Sequence, residues 1–141
     1  MTAYEVEDVL THEAPMILIN RLHSYTEESA QCEVSISETS PFFDPTLNGV
    51  PSHIGIEYMA QTIAAFAGAN DLDAGREKKV GFLLGSRKYN STIPVYKNGC
   101  SLQVTVQRLF QEESGLGVFD CHITLSENRV SSAKVNVFQP V

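Results

Sequence analysis

Residues 51–68 constrain this chain more than any other stretch, because they read as an apolar, small-residue helix crossed by a narrow line of hydrogen-bonding groups. At about 100° per residue, His53, Glu57 and Gln61 fall on one stripe with Ala60 and Ala64, while Ile54, Ile56, Tyr58, Met59, Ile63 and Phe66 occupy the other sides. Such a helix expects burial nearly all round. A carboxylate within it must be paired, hydrogen-bonded or raised in pKa, which makes Glu57 the first candidate for chemistry. The plainer alternative is a core helix carrying one satisfied polar cluster.

Around this helix the chain alternates with period two. Ala30, Cys32, Val34 and Ile36 precede it, and Met16 to Ile19 suggest a further strand after Pro15. After it, residues 80–84 open a strand, followed by Leu102, Val104 and Val106, by Phe119, Cys121, Ile123 and Leu125, and by Ala133, Val135 and Val137. Ser114-Gly115 and Glu127-Asn128 read as turns between hairpin partners. The order is strand, strand, long helix, then four strands. One apolar helix against one antiparallel sheet is an α+β arrangement, and a curved sheet buries such a helix better than a flat one.

With 141 residues and 43% hydrophobic content, a single domain over 1–141 is expected. The first residues are acidic where a signal peptide is basic, and no apolar run approaches the roughly 20 residues of a membrane span, so a soluble cytoplasmic protein is expected. Cys32, Cys100 and Cys121 form no C-x-x-C pair and read as small core residues. The four histidines lack the carboxylate or cysteine spacing of a metal site, and none is expected.

The net charge of −7 argues against a nucleic-acid partner. The distribution of charge is uneven: up to Glu57 only Arg21 is basic, whereas Arg76, Lys78, Lys79, Arg87, Lys88 and Lys97 gather within 22 positions. These six are either a docking surface for an acidic partner or an ordinary solvated surface.

Three segments in order resemble the hotdog family, and within it the 3-hydroxyacyl-[acyl-carrier-protein] dehydratases of fatty acid synthesis. Residues 10–21 (Leu10, His12, Pro15, Leu18 and Arg21 among them) resemble the family's opening L-P-H-R-x-P-F-L-L-V-D-R; Phe42-Phe43 matches its F-F; Glu57, Met59, Ala60 and Gln61 match its E-A-M-A-Q. Residues 85–89 and 94–99 follow more loosely. The chain looks closest to a divergent branch encoded in aryl polyene biosynthesis clusters. The resemblance implies a six-stranded antiparallel sheet wrapped around one long central helix, and two subunits, alike or different, pairing to complete the active sites. It also implies dehydration of 3-hydroxyacyl thioesters, carried on acyl carrier protein or coenzyme A, to trans-2-enoyl thioesters. No cofactor beyond the phosphopantetheine arm of the substrate is expected. One departure is sharp: the family's catalytic His follows F-F in G-H-F-P-G, and residues 44–50 here contain no His.

Dehydration removes a C2 proton and protonates the departing 3-hydroxyl, so two groups of suitable pKa must flank the substrate. The resemblance makes Glu57 the acid. His53, one turn earlier, either replaces the missing base, orients Glu57 or covers the helix end. The backbone N–H groups of Ser52 and His53, at the helix start, are candidates to polarise the thioester carbonyl. Gln61 either hydrogen-bonds Glu57 or satisfies core polarity, and His12 supports the site. His23 reads as a turn residue and His122 as lying on a strand's solvent face. Ala60, Ala64 and Gly68 leave room for an acyl chain, and the six basic residues would receive the acidic carrier protein. Two other readings remain: a thioesterase using the helix carboxylate, and a non-catalytic partner of an active dehydratase.

Overall fold

The computed structural model describes residues 4–12, 16–79 and 81–139. Glu13 to Pro15 of the opening motif, and Val80 at the expected start of a strand, lie outside these residues. The elements are a short helix α1 (Val6–Val9); strands β1 (Arg21–Tyr25), β2 (Ser29–Ser35) and β3 (Gly49–Pro51); and a 3₁₀ turn (Ser52–Ile54) running into helix α2 (Gly55–Asp73). Strands β4 (Phe82–Ser91), β5 (Val95–Lys97), β6 (Ser101–Gln111), β7 (Leu116–Leu125) and β8 (Asn128–Phe138) follow.

Six strands form one antiparallel sheet in the order β1-β2-β6-β7-β8-β4, and β3 pairs with β5 in a small second sheet. Ala30, Val106, Cys121 and Ala133 stand opposite one another in a row across β2, β6, β7 and β8, all buried, so the period-two pattern sets one face of the sheet against α2. The sheet wraps the helix as the hotdog resemblance implies. Phe66 of α2 meets Phe119 of β7 edge to face, with ring centroids 5.6 Å apart.

Several expectations are displaced. The segment from Met16 to Ile19 is not a strand; pairing begins at Arg21, because the backbone at Leu18 is engaged by a helix side chain rather than by a neighbouring strand. His23 consequently lies in β1, exposed, beside an irregularity in the β1–β2 register. His122 is half-buried on β7. The β7–β8 hairpin turns through Ser126 and Glu127, both at positive φ (50° and 71°), one position earlier than the expected pair.

Gly68 does not border open space. A Cβ there would run into the Val9 backbone, so this glycine lets α1 lie directly on α2. Lys78 completes that junction, its ammonium donating to the carbonyls of Glu7 (3.3 Å), Asp8 (3.0 Å) and Leu10 (2.8 Å) where α1 ends.

Candidate functional site

Burial of α2 is one-sided. Tyr58, Met59, Thr62, Ala65, Phe66 and Ala69 are buried, whereas Glu57 is exposed and Ala60, Ala64 and Ala67 are half-buried. These last four share one face of the helix and line a groove of about 470 Å³. Met16, Phe42, Phe82 and Leu83 form its apolar walls. The burial expected of Glu57 is therefore not supplied by this chain alone. The carboxylate stands at an open, apolar groove floored by small side chains.

Phe42 reaches this groove from the loop that lacks the family's His. It has a φ of 67°, an uncommon conformation for an aromatic residue, and is 53% exposed. The loop is tied to the β5 region by the Asn98 N–H, which donates to the Asn48 carbonyl at 2.9 Å. Asp44 Oδ1 accepts from the Thr46 hydroxyl at 2.7 Å and from the Thr46 N–H at 2.9 Å, and these bonds hold the Asp44 carboxyl below the usual carboxylate range.

The remaining candidates divide. His12 is exposed and lines the groove with Glu57; His53, also exposed, is not among the lining residues. Gln61 does not serve Glu57. Its Oε1 accepts the Leu18 N–H at 2.8 Å and its Nε2 donates to the Met16 carbonyl at 2.6 Å, which clamps the segment before β1 to the helix. The Ser52 N–H is likewise taken, donating to the Pro94 carbonyl at 2.9 Å, so it is not a carbonyl-polarising donor in this fold. Ala67, rather than Gly68, continues the small-residue floor.

The six basic residues are engaged in different ways. Arg76 pairs with Asp71 at 3.0 Å and Lys79 approaches the same carboxylate at 3.8 Å, while Lys78 holds α1. Lys97 donates to the Leu47 carbonyl at 3.2 Å in the β3–β5 region. Arg87 and Lys88 lie exposed on β4.

Sequence reasoning missed a hydroxyl network beneath the start of α2. The Tyr89 hydroxyl donates to the Ser52 carbonyl and lies 3.2 Å from that of Tyr96, which in turn is 2.7 Å from Ser131 Oγ. Ser131 Oγ is 3.1 Å from Ser91 Oγ. Burial pushes the Tyr96 phenol well above its usual range, so it stays a neutral donor. Gly55 packs directly against both phenolic oxygens, and a Cβ there would overlap them. The signal that could have found this network is Gly55 itself, a glycine in the first turn of an otherwise apolar helix, which marks a close approach.

The sequence matches the family described as ApeP-like, ApeP dehydratase, over residues 4–141. No curated protein matches it. Among solved structures it is similar to the dehydratase heterocomplex ApeI:P from Xenorhabdus doucetiae, with 27% identity and a TM-score of 0.93 over 99% of this chain and 93% of that one. A hypothetical thioesterase protein with coenzyme A from Streptococcus pneumoniae TIGR4 (14% identity, TM-score 0.64, 84% of each chain) shares the fold. So does the E. coli PaaI protein (14% identity, TM-score 0.64, 83% of this chain and 80% of that one). The fold is therefore the hotdog fold, and the match over residues 4–141 shows that this chain belongs to the ApeP-like dehydratase family.

Proposed function

We propose that this chain is one subunit of a hotdog heterocomplex that dehydrates 3-hydroxyacyl thioesters, carried on acyl carrier protein, to trans-2-enoyl thioesters in aryl polyene biosynthesis. The observation that carries the reading is Glu57 at the mouth of an apolar groove whose floor is Ala60, Ala64 and Ala67. A carboxyl in that position can protonate the departing 3-hydroxyl while the acyl chain lies along the alanines. The base that takes the C2 proton comes from the second subunit, since residues 44–50 supply no His and His53 lies outside the groove lining. His12 supports the substrate from within the groove.

The sheet favours this assembly. β4 is an edge strand, and Phe82 (54%), Leu83 (38%) and Leu84 (59%) are exposed along its first half. An open edge with apolar side chains is a template for another strand. Because Phe82 and Leu83 also wall the groove, a subunit pairing there closes it over Glu57 and excludes water from the carboxyl. Arg76, Arg87, Lys88 and Lys97 are exposed; with Arg76 held by Asp71 and Lys97 by the Leu47 carbonyl, Arg87 and Lys88 are the pair that meets the acidic carrier protein.

The absent loop His also favours a second reading, a non-catalytic subunit that shapes the acyl groove of an active partner. The two are separated by incubating a 3-hydroxyacyl carrier protein with this chain alone, with its hotdog partner, and with the partner plus the Glu57→Gln variant, following the acyl mass. Loss of one water by the pair, abolished in the variant while the pair still forms, is the expected result. Undiminished turnover by the variant pair overturns the catalytic assignment and leaves the scaffold role.

A further inference from the structure

The edge strand β4 touches the start of α2 through one side chain, Tyr89, in the half of the strand away from Phe82 and Leu83. The β4–β8 register slips between Arg87 and Asn90: Arg87 stands opposite Lys134 and Asn90 opposite Ser132, so Lys88 and Tyr89 together face Ala133. Lys88 takes a φ of 57°, a conformation ordinarily left to glycine at such a bulge. Backbone strain of this kind persists where the surrounding structure over-determines it. Here the extra residue turns Tyr89 toward the helix, where its hydroxyl donates to the Ser52 carbonyl and lies 3.2 Å from the Tyr96 hydroxyl.

Ser52 is held on both sides by this one stretch of chain. Its carbonyl accepts from Tyr89 of β4, and its N–H donates to the Pro94 carbonyl, just before β5, at 2.9 Å. The same carbonyl accepts the N–H of Gly55, the residue that opens α2, and Glu57 follows within the first turn. Gly55 leaves no slack, because its Cα faces both phenolic oxygens. Tyr96 and Ser131, both buried, back the Tyr89 hydroxyl from below. The first turn of α2 therefore cannot roll or slide without breaking the bond from Tyr89 and leaving a half-buried hydroxyl to find another acceptor.

We propose that Tyr89 is a positioning residue: its hydroxyl ties β4, the edge on which the second subunit pairs, to the first turn of α2, and so fixes the Glu57 carboxyl relative to the base that subunit brings. This rests on the reading of Glu57 as the acid and of β4 as the pairing edge. Acid and base on different subunits must meet one substrate, and a misplacement of about 1 Å can cost about 10²-fold in rate. A strand that carries the partner and also holds the helix gives both groups one frame.

The test is steady-state dehydration of a 3-hydroxyacyl carrier protein by the assembled pair, with this chain as the parent, Tyr89→Phe, Ser131→Ala or Glu57→Gln. A fifth form carries 4-aminophenylalanine at position 89, which keeps a para donor of similar reach. Tyr89→Phe is expected to lower kcat about tenfold or more with KM unchanged, while the pair still forms. The amino form should recover kcat to within about threefold of the parent, because donation to Ser52 is what it restores. Ser131→Ala, which loosens the same network without touching Ser52, should lower the melting temperature but leave kcat within about twofold. If Tyr89→Phe keeps parental kcat while Glu57→Gln is inert, the inference is overturned and the Glu57 reading stands. It is overturned equally if the amino form fails to recover, if Ser131→Ala lowers kcat as much, or if Tyr89→Phe no longer folds or pairs, since the hydroxyl is then a structural tie alone. Parental turnover by Glu57→Gln ends both.

Discussion

The Leu18 N–H donates to Gln61 Oε1 at 2.8 Å, and this bond replaces the strand pairing that the apolar run around Leu18 suggests. Leu18 and Gln61 are both buried, so the amide has no water to turn to. Gln61→Leu leaves that N–H and the Met16 carbonyl unpaired; a loss of about 1–3 kcal/mol is expected, read as a lower denaturation midpoint with an unchanged slope.

Gly55→Ala should be more damaging than an alanine in a helix usually is. Intrinsic propensity favours Ala over Gly by about 1 kcal/mol, but here the new methyl meets the Tyr89 and Tyr96 hydroxyls, and the start of α2 must shift. A net fall in melting temperature, together with reduced turnover because Glu57 lies two residues on, is the expected outcome. A rise in melting temperature refutes the close approach.

Glu57→Gln should separate stability from activity. The side chain is exposed in the isolated chain, so the isolated variant's stability should stay within about 0.5 kcal/mol of the parent. Turnover by the assembled pair should fall by about 10²-fold or more. His12→Ala, in the groove, should raise KM more than it lowers kcat, and His53→Ala, outside the lining, should change neither more than a few-fold.

Alkaline pH should destabilise the fold through its buried thiols. Burial pushes Cys32 up to about 12, with a hydrogen bond to Thr62 opposing it in part, and pushes Cys121 higher still. Both remain protonated in the fold above pH 9 while the unfolded chain ionises. Stability is then full below the ordinary thiol pKa and declines above it, by about 1.4 kcal/mol per pH unit per thiol up to the folded pKa. Urea midpoints between pH 8 and 11 measure this. Cys100, half-buried, should be the first of the three to react with a thiol reagent in the native protein.

Leu84→Lys should weaken the heterocomplex. Leu84 is 59% exposed on the β4 edge, so a charge there costs the isolated chain little but opposes pairing of a second strand. A slower or absent heterocomplex peak in size-exclusion chromatography, with unchanged melting of the chain alone, is expected.

The strands β2, β6, β7 and β8 and the long helix were legible in the sequence because each buries one face, and burial imposes a period that propensity alone does not. The motif carrying Glu57 was legible for a related reason: a carboxylate and a glutamine are conspicuous in a run of alanines and branched apolar residues. What Gln61 bonds was not legible, since its partners, Met16 and Leu18, are 45 and 43 residues away and only folding brings them near. The same holds for Lys78, which the sequence grouped with Arg76 and Lys97 but the fold sets against the end of α1.

The sequence by itself determined the long helix, the strands β2, β6, β7 and β8, the α+β class and the family, because these depend on local periodicity and on short motifs. Only the tertiary structure decided which face of α2 stays open, that Ala67 rather than Gly68 floors the groove, and that Gly68 instead lets α1 lie on α2. Those facts depend on where a curved sheet places side chains far apart in the chain. Periodicity tells which residues are buried, and the packing of distant elements tells against what.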